Sequence, residues 1–294
     1  MPSLPPVIKW PGSKRSVAAQ LAAHFPAFDR YFEPFVGGGA MLPFRRQSPA
    51  IASDILPELI HLWTIIRDTP QLAIAGYATR WQARRDHGHT VFYDIRDRFN
   101  RTRDPIDFLF LSRTCVNGLI RFNQDGAFNN SLHHTRPGIA PDTLARIIHT
   151  WSAAIQNVAF KVADYTAALE PVTAADFVFL DPPYESTRGR YQAAAFDSDR
   201  LYAELDRLNR IGARWMLTYD GHAGNRAYQV GLPNHLYKSK VPIHTGSSPF
   251  PRLMKQSPDR ITESVYLNYD PSAALSLASH PPLPAFQIAA SQLE

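Results

Sequence analysis

The chain has 294 residues, a single cysteine and a formal net charge of +5. That length suffices for one large core with a smaller insertion. Cys115 alone excludes an intrachain disulfide or an all-cysteine zinc site; with no N-terminal apolar leader and no eighteen-residue apolar span, the expectation is a cytoplasmic protein with no membrane association.

In chain order, Lys9-Trp10-Pro11-Gly12-Ser13-Lys14 brings two of only six lysines into one turn, with an indole between them. Lys14 can hold a carboxylate in a charge-assisted bond, and Trp10 offers ring surface. A solvated terminal turn is the competing reading. Strands are expected over 31–35, which runs on into Gly37-Gly38-Gly39, and over 51–53, which ends beside Asp54. The 17 residues from Gly37 to Asp54 suit a βαβ unit in which glycines admit a ligand to the backbone and the acid takes ribose hydroxyls. Three glycines in a row do not spell G-x-G-x-x-G, so a nucleoside cofactor without a pyrophosphate fits better. S-adenosylmethionine is such a molecule.

Helical patterns follow over 57–68, 71–85, 90–100, 105–116 and 141–155. Residues 80–136 hold ten arginines and six aspartates with no lysine or glutamate, so most of the excess charge sits in one segment. Such a segment suits a phosphate backbone, and each phosphate contact steepens the fall of affinity with salt. The alternative is a set of solvated helix faces, with Arg84, Arg96 and Arg103 paired to local aspartates. Within the loop 117–130, Arg121 can contact guanine through two bonds and Asn123 can read adenine, while a structural hairpin is the alternative. His87, His89, His133 and His134 lack carboxylate or cysteine partners at ligand spacing, so no metal site is expected.

Strands return over 158–162, 177–180, 215–219, 235–241 and 261–269. Seven strands and an interposed helical run predict an α/β fold, a mainly parallel sheet with ligands beyond the carboxyl ends of its strands. The stretch 245–251 reads as a surface loop, with closure over DNA as the alternative. In Phe177-Val178-Phe179-Leu180-Asp181-Pro182-Pro183-Tyr184 a doubly covered strand stops at an acid, two prolines and a ring. That turn offers acceptors and no competing donors, because ionised Asp181 only accepts and the prolines lack N–H groups. The exocyclic amine of adenine is a poor nucleophile, its lone pair being delocalised into the ring. Two acceptors, the Asp181 carboxylate and the Pro182 carbonyl, can localise that pair while Tyr184 stacks on the base. A turn that merely ends a strand is the competing reading.

Taken together, Lys-Trp-x-Gly-x-Lys, Glu33-Pro34-Phe35-Val36-Gly37-Gly38-Gly39, Asp54, Asn117-Gly118-Leu119-Ile120-Arg121-Phe122-Asn123, Gly126-Ala127-Phe128-Asn129 and the Asp181 tetrapeptide carry a resemblance. Over residues 7–270 the chain resembles the Dam-type, or alpha-group, DNA adenine-N6 methyltransferases of the D12 class. The resemblance implies a Rossmann-like sheet of the S-adenosylmethionine-dependent methyltransferases. It divides the chain into a catalytic domain of residues 1–55 and 157–270, a target-recognition domain of residues 56–156 and a tail of residues 271–294. It places Trp10, Gly12, Lys14, Glu33, Phe35, Gly37, Gly39, Asp54, Asp164, Tyr165 and Asp181 at the S-adenosylmethionine site. Catalysis falls to Asp181, Pro182, Pro183 and Tyr184, and DNA contacts to Lys9, Asn117, Leu119, Arg121 and Asn123. The implied activity is site-specific methyl transfer to adenine N6 in double-stranded DNA after base flipping, by a monomer, with a separately acting restriction endonuclease as an optional partner. Val116 stands where the family often has an aromatic residue, and Asn130-Ser131-Leu132-His133-His134 replaces a common Val-Pro continuation, so no recognition sequence is carried over. Cytosine-N4 methyl transfer, nicotinamide-dependent redox chemistry and noncatalytic DNA binding are the alternatives.

Overall fold

The computed structural model describes residues 3–183, 196–223, 226–227, 231–247 and 260–271. Its elements run α1 (Ala18–Ala22), β1 (Tyr31–Glu33), β2 (Ala50–Asp54), α2 (Pro57–Asp68), α3 (Pro70–His87), α4 (Thr90–Thr102), α5 (Pro105–Thr114), α6 (Pro141–Ala154), β3 (Val158–Val162), α7 (Tyr165–Leu169), β4 (Phe177–Leu180), α8 (Ser198–Arg210), β5 (Arg214–Ala223), β6 (Arg226–Ala227), β7 (Ser239–Ser247) and β8 (Arg260–Leu267). One sheet has the order β3-β2-β1-β4-β5-β8-β7, with the two-residue β6 paired to β5. The first five strands are parallel, and β8 is antiparallel to both β5 and β7. Strand order therefore reverses between β1 and β4, and the crevice beyond their carboxyl ends is where such sheets collect ligands.

Both central strands are buried on both faces, and their side chains sort by parity. Tyr31, Phe177 and Phe179 join the core shared with α2, α3, α5 and α6, whereas Phe32, Val178 and Leu180 join the core under α7 and α8. Burying an apolar side chain of this size is worth about 1.5–3 kcal/mol, so a slip of one residue in β4 would exchange two cores at once. Four helices of the insertion start on a proline, at Pro57, Pro70, Pro105 and Pro141, where the missing N–H has no partner to lose. The Asp104 carboxylate completes the start of α5 by accepting from Ile106 and Asp107 N–H.

Several expectations need correction. The strand expected over 235–241 is Ser239–Ser247, because Leu236 turns into the core under α8 while the strand itself is set by pairing with β8. The helix expected to reach 116 ends at Thr114, where Asn117 adopts a left-handed conformation. Helices α1, α7 and α8 were not expected. The first and second are five residues long, too short for periodicity to declare, but α8 buries Leu201, Leu205 and Leu208 along one stripe. Residues 272–294 of the tail and 248–251 of the loop lie outside the described residues.

Candidate active site

A cavity of about 600 Å³ opens at the strand-order reversal, and it is walled by segments far apart in sequence. On one side the chain leaves β1 through Gly37 and Gly39, whose φ angles of +43° and +66° suit glycine. The Gly37 peptide is held from both ends. Its N–H donates to Asp54 Oδ2 at 3.2 Å, and its carbonyl accepts from the Trp63 indole at 3.0 Å. The other Asp54 oxygen takes Leu56 N–H at 3.2 Å, so this acid joins the glycine turn to the start of α2. Burial raises Asp54 to about 6 against the pull of the Leu56, Gly37 and Ile55 N–H groups. The Trp10 ring lies directly on the turn: a Cβ at Gly37 would sit 2.4 Å from its Nε1. Gly39 is beside the wall and not in it, packed on Trp63, where a Cβ would come within 3.1 Å of the indole.

Asp181, at the tip of β4, lines the same cavity, with Pro182 and Pro183 also in the wall. Lys14, only 4% exposed, places Nζ 2.9 Å from Asp181 Oδ1, and the Thr218 hydroxyl donates to the same oxygen at 2.6 Å. Among the described residues no hydrogen bond reaches Oδ2. Lys14 thus meets a carboxylate of the protein itself, where the sequence alone suggests one on a ligand. Glu33 is buried and accepts from the Tyr31 hydroxyl at 3.0 Å. Burial pushes it up to about 8; the Tyr31 bond opposes that rise, the Asp181 charge adds to it and the Arg45 charge opposes it. Tyr184 lies outside the described residues.

Part of the cavity wall is aromatic. Phe35 and Tyr165 have ring centroids 5.3 Å apart, and Phe196 stands 6.1 Å from each. Asp164 caps α7 through Thr166 N–H at 3.0 Å and accepts from Arg200 Nη2 at 2.7 Å, while the Arg200 guanidinium lies 5.2 Å over the Tyr165 ring. Trp10, Gly12, Lys14, Glu33, Phe35, Gly37, Asp54, Asp164, Tyr165 and Asp181 therefore share one cavity. Trp63, Phe196, Arg200 and Thr218 escaped the sequence reading.

Residues 10–245 match the model of the D12 class N6 adenine-specific DNA methyltransferases. The chain belongs to that family. It is similar to the type II methyltransferase M.MjaIII of Methanocaldococcus jannaschii, 28% identical over 263 residues that cover 79% of this chain and 88% of that one. The retron Ec67 DNA adenine methylase of Escherichia coli is 29% identical over 203 residues, covering 67% and 69% of the two chains. The DNA adenine methylase of Escherichia coli K12 is 29% identical over 201 residues, covering 67% and 71%. Methyl transfer to adenine in DNA is the chemistry of this enzyme, and the cytosine, nicotinamide and noncatalytic alternatives fall.

In this methyltransferase the insertion carries a hairpin, bridged at Cys115 to Leu132 and Phe122 to Phe128. Parity again sorts its side chains: Ile120 and Phe122 are buried, whereas Asn117 and Arg121 are exposed and Leu119 and Asn123 half-buried on the other side. Arg121 donates through Nε to Asn129 at 2.9 Å, a bond compatible with a guanine contact through its terminal nitrogens. Asn123 uses its side-chain oxygen to accept Ala127 N–H at 2.8 Å, which an adenine contact through both amide atoms must displace. The exposed Lys9 runs its stem over Gly118, where a Cβ would meet it at 2.3 Å. Lys9 and Trp10, neighbours in sequence, thus lie on the hairpin and on the glycine turn. Part of the basic segment is spent internally: Arg80 and Arg98 converge on buried Asp107, Arg96 meets Asp97, and Arg103 meets Glu58. Arg84 bonds the Pro137 carbonyl instead of an aspartate. Among the described residues no helix is long and apolar enough to cross a membrane.

Proposed function

We propose that this methyltransferase carries a methyl group from S-adenosylmethionine to N6 of an adenine flipped out of a specific site in double-stranded DNA. One observation carries the reading: the glycine turn and the Asp181 corner are walls of the same cavity. Its volume lies within the range of about 300–1,000 Å³ that small-molecule sites occupy. The wall suits this methyl donor. Phe35, Tyr165 and Phe196 offer ring faces to an adenine, and the Asp54 carboxylate, toward which the Leu56, Gly37 and Ile55 N–H groups point, keeps a lone pair for a ribose hydroxyl. Lys14 and Glu33 supply the charged and polar groups that an amino-acid end needs. When bound, the donor supplies an electrophilic methyl on a sulfonium.

The protein's own part is to make the amine nucleophilic. Asp181 Oδ1 is engaged by Lys14 and Thr218, which turns Oδ2 into the acceptor for one amino hydrogen while the Pro182 carbonyl takes the other. The nitrogen then becomes tetrahedral as positive charge develops on it and is neutralised by loss of one amino proton after or during transfer; loss of one such preorganised group costs on the order of 3 kcal/mol, about a hundredfold in rate. Extruding the base costs a few kcal/mol, offset by contacts from the recognition domain 56–156 and by stacking on Tyr184. Lys9, Asn117, Leu119, Arg121 and Asn123 face the duplex. Incubation with a duplex and methyl-labelled S-adenosylmethionine, followed by digestion to nucleosides, tests the reading. Label in N6-methyladenine is expected. Label in N4-methylcytosine, or none, overturns it.

A further inference from the structure

We propose that Thr218 is a positioning residue for Asp181, its hydroxyl turning the carboxylate so that Oδ2 faces the reacting amine. This rests on the reading of Asp181 as the acceptor for that amine. The placement follows from register: β4 and β5 are parallel and pair Leu180 with Leu217, so the next residues across the ladder are Asp181 and Thr218. Thr218 is wholly buried, and its Oγ1 lies 2.6 Å from Asp181 Oδ1 and 3.4 Å from the Leu180 carbonyl. A hydroxyl has one proton to give, and the shorter contact marks where it goes.

The need for such a residue is conformational. The terminal torsion of an aspartate is broad, so nothing intrinsic fixes the plane of its carboxylate relative to the cavity. A β-branched threonine is stiff at χ1, and a strand holds it more rigidly than a loop, so its hydroxyl is a fixed donor. Lys14 binds the same oxygen at 2.9 Å. Two donors on one oxygen hold the carboxylate plane and leave the other, chemically equivalent oxygen for the cavity, whereas a partial rotation would strand a buried hydroxyl. Thr218 therefore acts on the geometry of the chemical step and not on ligand affinity.

Kinetics of Thr218→Val, Thr218→Ser and Asp181→Ala decide the matter, with kcat and both KM values measured beside the thermal midpoint. Thr218→Val keeps the shape and deletes the donor; kcat is expected to fall about tenfold to a hundredfold, with both KM values within about twofold of the parent. Thr218→Ser restores kcat to within about threefold, because it returns the hydroxyl. Thr218→Ala deletes the donor with less volume and carries the same expectation, should the valine variant fold poorly. An unchanged kcat in both hydroxyl-deleting variants, equal losses in serine and valine variants, or a loss confined to KM would overturn the role of Thr218 while Asp181→Ala remains inactive. A fully active Asp181→Ala would instead overturn the reading of Asp181.

Discussion

Replacing Glu33 by glutamine tests the electrostatics of the cavity through stability alone. Glutamine keeps the shape of the side chain and an acceptor for the Tyr31 hydroxyl, which lies 3.0 Å from Glu33. In the native enzyme burial is the main cause that lifts Glu33 from 4.5 to about 8. Below the lower value both folded and unfolded chains hold the proton, and folding loses nothing. Between the two values the unfolded chain ionises while the folded one keeps its proton, so stability falls as pH rises, by about 1.4 kcal/mol per pH unit. The interval from 4.5 to about 8 is worth about 5 kcal/mol at most. The glutamine variant lacks this loss, while the slope due to Asp54, also raised by burial, is common to both proteins and cancels. Urea unfolding at about pH 5.5, 6.5 and 7.5 should show the parent losing about 2.7 kcal/mol more than the variant across that range. Parallel curves would mean that Glu33 is already ionised when folded, and the account of its burial would be wrong.

Three further outcomes probe other parts of the site. Gly37→Ala puts a methyl 2.4 Å from Trp10 Nε1 at a φ of +43°, so the indole must leave the turn; the KM for S-adenosylmethionine should rise at least about tenfold, and an unchanged value would contradict the packing. Trp63→Phe leaves the buried Gly37 carbonyl unpaired, at a cost of about 1–3 kcal/mol, and should raise the same KM. Trp151→Phe, which loses a comparable bond to the Pro5 carbonyl at 2.7 Å, should lower the unfolding midpoint and leave KM alone; equal KM effects in the two variants would deny Trp63 its link to the turn. Arg121→Ala should relax preference at one base pair by about 1–3 kcal/mol, read by methylation of a randomised duplex library, and uniform weakening across all sites would make Arg121 a phosphate contact instead.

Elements bounded by strong local chemistry are legible in the chain. Pro57 starts α2 and Pro182 follows the exit of β4, and both elements were expected with their observed limits. The cavity was legible in outline because its glycines, acids and prolines announce themselves singly. What stayed hidden acts across distance. Trp63 serves Gly37 from 26 residues away and Thr218 serves Asp181 from 37, so a local pattern reads both as ordinary core. The sequence marks Lys14 as a partner for a carboxylate, but the one on Asp181 becomes visible only when the N-terminal turn and β4 are brought together. The shift of β7 has the same origin: Leu236 carries the apolar signal, yet the ladder with β8 extends through Ser239–Ser247. The leucine stripe of α8 is by contrast a local signal, carried by Leu201, Leu205 and Leu208 among polar neighbours, and it needs no distant partner to be read.

Asp181 itself offers the most direct test of the whole account. Single-turnover methyl transfer by Asp181→Ala, with S-adenosylmethionine and duplex DNA binding measured on the same preparation, should show transfer slowed about a hundredfold or more while both affinities stay within about threefold. Transfer at the parental rate would contradict the claim that this carboxylate, in one cavity with the glycine turn, prepares the amine for attack.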